Sequence, residues 1–290
     1  MTAAKRFRRL MLAGPWGWSA ALFLLPLAII LKISFAQTQV GVPPYTPLFG
    51  DGGVQATLEN YRSVLTDSFY FGAYLGSFKI AALATVLALL LGYPMAYAIA
   101  AAAPARRGLL LLLVVLPFWT SLLIRIYAWM GLLRPGGVIN TVLESLGAIS
   151  EPLHLINTTG AVCLGMVYAY LPFMVLPLYA RLERLDPSLR EAASDLGAKP
   201  WRVFLSVTLP LSLPGVFAGC LLVFIPCVGE FVIPDLLGGP DTVMIGKVLW
   251  SEFFSSRDWP LSAALTVVMV AVLVVPVLLL QRVMDEGETR

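Results

Sequence analysis

The sequence predicts an all-α polytopic membrane protein with six transmembrane helices and both termini in the cytoplasm, and three observations carry that prediction. Hydrophobic residues make up 59% of the 290-residue chain and charged residues only 13%, against about 25% charged in an ordinary soluble domain. Six apolar runs are long enough to cross a bilayer as helices. Lys and Arg are unevenly placed: 13 of the 20 lie in the N-terminal segment, the 103–107 turn, the 181–209 segment and the C-terminal end from Arg282 onward. The three segments between them hold Arg62, Arg134, Lys247 and Arg257, while Lys32, Lys79 and Arg125 fall within spans. Basic loops are retained in the cytoplasm, so the termini and the 181–209 segment belong there.

Residues 1–15 form a cytoplasmic N-terminus in which Lys5, Arg6, Arg8 and Arg9 precede the first span, 16–35. Ser34-Phe35-Ala36 faintly resembles a cleavage site, but the apolar run exceeds the roughly 7 to 15 residues of a signal core, so a retained helix is expected. Residues 37–71 are polar and contain Pro and Gly, with Leu58, Tyr61, Val64 and Leu65 marking one short amphipathic helix. The second span, 72–102, carries Lys79 near its outer end and Pro94 as an expected kink. Arg106 and Arg107 mark a tight inner turn before the third span, 108–133, which contains Pro117 and Arg125. A loop over 134–159 leads to the fourth span, 160–180, with Pro172 and Pro177. After the charged 181–209 loop come the fifth span, 211–233, an outer segment, the sixth span, 261–283, and a cytoplasmic tail, 284–290.

The charged loop reads as two short helices hinged at a glycine. Asp186 is an N-cap and Pro187 suits the first helical position. Leu189, Ala192, Ala193 and Leu196 then recur at helical spacing, and Gly197 stands where a left-handed cap ends the helix. Pro200 starts a second helix with Trp201, Phe204, Leu205 and Thr208 on one face and Lys199 and Arg202 on the other, as in a helix lying at a membrane surface; Pro210 closes the segment.

The spacing Glu191-Ala192-Ala193, Gly197, Val207, Leu209-Pro210 resembles the cytoplasmic loop of ABC-importer permeases, which docks into a cleft of a separate ATPase subunit. The resemblance extends through 117–121, 123–131, 168–177, 229–241 and 244–250. Together these stretches look like the permeases of bacterial putrescine and spermidine importers, most closely that of the putrescine system, and cover nearly all of 61–276. It implies a type I ABC importer permease (MetI-like) fold in the bacterial inner membrane, as a non-catalytic subunit. The implied partners are a second homologous permease, two ATPase subunits and a periplasmic polyamine-binding protein, with the lipid bilayer as solvent and no nucleic acid. It also implies ATPase coupling through Glu191, Ala192, Ala193, Gly197 and Pro210.

The residues themselves exclude several alternatives. No Gly-x-x-x-x-Gly-Lys-Ser/Thr occurs, so no cofactor is expected in this chain, and ATP and Mg belong to the partner ATPases. Gly-x-Ser-x-Gly and His-Glu-x-x-His are also missing. Cys163, Cys220 and Cys227 lie in apolar runs and read as small core residues, and His154 stands in a loop without the neighbours a metal site needs.

A flexible amine needs carboxylates and aromatic faces along its path. Glu230 and Asp235 supply the first, and Trp119, Tyr127, Trp129, Tyr168 and Tyr170 the second, although such aromatics also serve as packing and interface residues. Counted along straight helices at 1.5 Å per residue, Arg125 lies about 26 Å from Gly108 and Glu230 about 28 Å from Leu211. Either the two pair as a structural bridge, or Glu230 faces the pathway and Arg125 meets backbone carbonyls or another carboxylate. A permease of the same architecture for an anionic solute would use Arg125 as ligand. An ion-coupled secondary transporter would call for inverted repeats and unwound half-helices, which the sequence does not suggest.

Overall fold

The computed structural model describes residues 3–50 and 53–288; the extremities of the expected cytoplasmic termini, 1–2 and 289–290, lie outside them. In chain order the helices are α1 (Ala3–Ser34), α2 (Glu59–Thr66), α3 (Ser68–Ala101), α4 (Pro104–Val115), α5 (Leu122–Leu133), α6 (Val138–Ser145) and α7 (Thr159–Glu183). They continue with α8 (Pro187–Asp195), α9 (Pro200–Val203), α10 (Leu209–Val228), α11 (Val232–Leu237), α12 (Ile245–Trp250) and α13 (Trp259–Glu288). A two-residue antiparallel ladder, β1 (Phe49–Gly50) on β2 (Gly53–Val54), pairs Phe49 with Val54. Five helical stretches are long and apolar enough to cross a membrane, namely Met11–Ser34, Ser68–Ala101, Leu122–Ser145, Thr159–Glu183 and Pro200–Val228. Trp259–Val274 is a shorter sixth among the described residues.

The third span is not one helix over 108–133. α4 ends at Val115, a 3-10 turn occupies Leu116–Trp119, and Thr120 (φ −101°, ψ 152°) is extended before α5 begins. Pro117 explains the break, because it lacks the N–H that would continue the ladder and its ring crowds the preceding turn. The fifth span departs in the opposite way at its start. Pro210 does not close a separate surface helix, since α9 runs through a π turn, Phe204–Thr208, directly into α10. The Leu209 N–H reaches back to the Phe204 carbonyl, and this wider turn lies just where the Pro210 ring would press on an ordinary one. At its far end α10 stops at Val228, and Gly229, Glu230 and Phe231 separate it from α11.

The chain forms two compact units, residues 1–71 with 248–290, and residues 72–247. In the first, α13 packs along α1 and against α2. Asn60 Nδ2 donates to the carbonyls of Ser34 and Ala36, both at 2.9 Å, satisfying oxygens that the end of α1 leaves open. Of the predicted α2 face, Val64 is buried and Tyr61 half-buried, the latter bonded to Ser34 at 2.6 Å, whereas Leu58 and Leu65 are exposed.

The core of the second unit is α7 against α10. Val162, Met166, Met174, Val175 and Leu178 of α7 and Val216, Val223 and Cys227 of α10 are buried there. Cys163 is buried as well, and all three cysteines are free; Cys163 and Cys227 are core residues as expected, whereas Cys220 is only half-buried. Pro172 and Pro177 sit inside α7, and Tyr93 of α3 bonds Ser212 of α10 at 2.8 Å.

Candidate functional site

Two places in the second unit carry the residues singled out by the sequence. The first is the α8–α9 elbow. Asp186 Oδ1 accepts the Ser188 N–H at 2.9 Å with Pro187 as the first helical residue. That backbone donor holds the Asp186 carboxyl below its ordinary value. The cap is therefore complete above the unfolded carboxylate pKa and is lost as pH falls through the lowered one. At the other end Gly197 has φ +83°, its N–H bonds the Ser194 carbonyl at 2.8 Å and the Ala198 N–H bonds that of Ala193 at 3.2 Å. This pair of bonds is a Schellman closure, and the left-handed residue in it favours glycine.

The helix between these caps leaves its apolar stripe uncovered by the described chain. Leu189 is 46% exposed and Leu196 89% exposed, and Ala192 and Glu191 are exposed too. The small Ala192 and Ala193 side chains leave the backbone open to close approach by another surface. On the second arm the predicted face divides: Thr208 is buried, Phe204 sets its ring edge-on to Tyr93 and Tyr97, and Trp201 and Leu205 stay exposed, Trp201 under the Arg202 guanidinium. An open cleft of about 380 Å³ lies between the arms, lined by Glu191, Asp195, Pro200 and Phe204. Two arginines that the sequence offered only as topological charge brace this end. Arg107 reaches Glu183 at 3.2 Å and the Ala102 carbonyl at 2.9 Å, and Arg181 donates to the Leu211 carbonyl at 2.9 Å.

The second place surrounds the breaks after α4 and α10. Arg125 and Glu230 do not pair, and neither stands on an unbroken helix of the kind assumed in counting their depth. Glu230 is 8% exposed. Its Oε1 accepts the N–H groups of Phe231 and Val232 at 3.1 and 2.9 Å, and its Oε2 accepts the Tyr170 hydroxyl. The carboxylate is thus the N-terminal cap of α11, with both oxygens committed inside the chain. Gly246 lies against this junction: a Cβ there would fall 2.5 Å from the carbonyl oxygens of Gly229 and Glu230. Asp235 pairs with Lys247 at 3.1 Å, an exposed bridge worth about 1 kcal/mol or less.

Among the described residues Arg125 meets neither a carboxylate nor a backbone carbonyl. Its guanidinium carbon lies 5.2 Å from the ring centre of Phe118 and 5.8 Å from that of Tyr168, and its Nε and Nη1 are enclosed without an acceptor. Trp129 meets Tyr168 edge-on at 5.6 Å. The structure therefore gathers Arg125, Tyr168 and Trp129 and adds Phe118, which the sequence did not single out as a site residue. Trp119 and Tyr127 remain apart from them, 75% and 57% exposed. Pro117 was the sequence signal for Phe118, because the 3-10 turn it causes carries that ring.

Residues 88–289 match the family described as binding-protein-dependent transport system inner membrane component. The chain is 42% identical over 262 residues to the spermidine/putrescine transport system permease protein PotB of Haemophilus influenzae, covering 90% of this chain and 88% of that one. It is 41% identical over 257 residues to the protein of the same name from Escherichia coli K12, covering 89% and 90%. Its fold is similar to that in a crystal structure of a bacterial ABC transporter involved in the import of the acidic polysaccharide alginate, with TM-score 0.70, 18% identity and 98% of each chain covered.

Proposed function

This chain belongs to the family of binding-protein-dependent transport system inner membrane components, and from that premise we propose that it is the polyamine-conducting permease of an ATP-driven importer. The observation that carries the cargo is the identity of about two residues in five, across nine-tenths of the chain, to permeases whose names specify spermidine and putrescine. As a multi-pass inner-membrane permease it supplies a path and not a reaction. Chemical energy comes from two ATPase subunits that bind ATP and Mg, and cargo arrives on a periplasmic binding protein. The uncovered stripe of α8 supports ATPase docking, with Glu191, Ala192 and Ala193 against the partner and Gly197 setting the angle of the elbow. The π turn passes displacement of α8 to α10, and α10 ends at the junction capped by Glu230. The basic 181–209 segment and both termini lie in the cytoplasm, where the ATPases are.

A decisive experiment measures uptake of labelled putrescine and spermidine in bacteria stripped of their own polyamine importers and supplied with this chain, its companion permease, ATPase and binding protein. ATP-dependent accumulation of either amine is expected. Accumulation of neither, together with a binding protein that selects an organic anion, would replace the cargo while leaving the permease assignment in place.

A further inference from the structure

Arg125 is an anomaly for a path that carries cations. A positive charge among spans is costly unless it meets an anion, an acceptor or a π face, and this one has only the last. The enclosure of Nε and Nη1 places those nitrogens beyond the reach of an acceptor on another chain while the side chain stays where it is. What they face is the pair of rings from Phe118 and Tyr168. Trp129 stands edge-on to Tyr168, and Phe173 sets its ring edge-on to Phe118 at 5.2 Å. Glu230, the carboxylate that the sequence offers for neutralising this cation, is occupied by Tyr170 and two backbone N–H groups. The result is a guanidinium held against two aromatic faces with no counter-ion among the described residues, and aromatic faces are how proteins recognise an organic ammonium.

We propose that the Phe118–Tyr168 pair is a subsite for one ammonium group of the transported amine, and that the Arg125 guanidinium is its tethered occupant when no cargo is present. The proposal rests on the polyamine assignment above and deepens it. Amine and guanidinium exclude one another, so cargo entry exchanges one cation for another and the rings are never left empty. Phe118 owes its position to the break at Pro117, so the interruption of the third span is what brings a ring to this cation.

The test is equilibrium binding of two probes, putrescine and guanidinium chloride, to the purified assembly with its companion permease and ATPases but without the binding protein. Arg125→Ala vacates the rings and should bind putrescine at least tenfold more tightly than the unaltered complex, and should bind guanidinium in the millimolar range. Arg125→Lys keeps a tethered cation and should behave like the unaltered complex. Adding Tyr168→Leu or Phe118→Leu to Arg125→Ala should abolish the gain. Where the alanine variant does not assemble, Arg125→Gln provides the same comparison with a longer, uncharged side chain. Unchanged binding in Arg125→Ala overturns the proposal, as does a gain that survives loss of either ring. Guanidinium binding without putrescine binding overturns the amine subsite. Failure of both Arg125→Ala and Arg125→Gln to retain the companion permease, with Arg125→Lys retaining it, would make Arg125 an assembly residue and overturn it too. Uptake by the unaltered system tests the cargo separately: if it carries no polyamine while Arg125→Ala gains both probes through the rings, the cargo assignment falls and a cation-binding ring pair remains.

Discussion

At the scale of single residues, Glu230 and Gly197 show how a polar or unusual residue can be held by the backbone around it. The Glu230 side chain satisfies two N–H groups at the start of α11 and receives the Tyr170 hydroxyl. Glu230→Ala strands those donors in a buried place, at a cost of about 1–3 kcal/mol for a hydrogen-bonding group left unpaired. A lower melting temperature of the purified complex and reduced yield are expected. Glu230→Gln retains an oxygen for the two N–H groups and an amide that can donate to Tyr170, so its assembly and uptake should stay close to normal. A large loss of uptake in Glu230→Gln with normal assembly would instead mean that the negative charge itself serves transport. Gly197 makes a different demand, because φ +83° carries a penalty of roughly 1–2 kcal/mol for a residue with a Cβ. Gly197→Leu should leave the spans folded, since a Cβ there meets no neighbour, but change the angle at which α8 leaves the elbow. Uptake should fall while ATP hydrolysis persists, and normal uptake would remove the elbow from the coupling path.

The elements show why local rules located some boundaries and missed others. Capping is written in a few adjacent residues, so Asp186, Pro187 and Gly197 fixed both ends of α8 from the sequence alone. A long apolar run contains no such punctuation. Pro94, Pro172 and Pro177 are tolerated inside helices, whereas Pro117 accompanies a break and Pro210 an added π turn. The outcomes differ because neighbouring helices determine whether the freed carbonyl finds a partner or the chain turns aside, and no single-residue rule contains that information. The same limit applies to the Arg125 site: its charge is legible in the sequence, but neither pairing with Glu230 nor contact with carbonyls or another carboxylate describes it, because the cap on α11 claims both Glu230 oxygens and the guanidinium lies against rings. The π turn offers a direct test. One alanine inserted between Arg202 and Val203, just before this turn, adds a residue that the wider turn does not absorb and rotates the α8–α9 arm by about 100° relative to α10. The variant should insert normally and lose most ATPase retention on purification. Full retention with normal uptake would show that the orientation of this arm is immaterial.

At the scale of the whole molecule, broad apolar faces such as those of Phe217, Leu222 and Ile225 on α10 remain exposed within the chain, and no internal repeat supplies a symmetric mate. A companion permease is therefore expected to complete the pathway. Co-expression with the ATPase alone should yield no ATP-dependent polyamine uptake, and addition of the companion should restore it; an active assembly with two copies of this chain and no other permease would contradict a mixed pair. The intact chain also contains a record of the order in which it is made. Arg107 and Glu183 are 76 residues apart yet meet at 3.2 Å. At a synthesis rate of about 5–20 residues per second, roughly 4–15 s separate the emergence of one partner from that of the other. During that interval Glu183 does not yet exist, and the Arg107 guanidinium has the Ala102 carbonyl of its own turn to reach. Only after the fourth span has been made can the same guanidinium add Glu183 to the carbonyl it already reaches, so this ion pair closes late and ties the start of the third span to the end of the fourth.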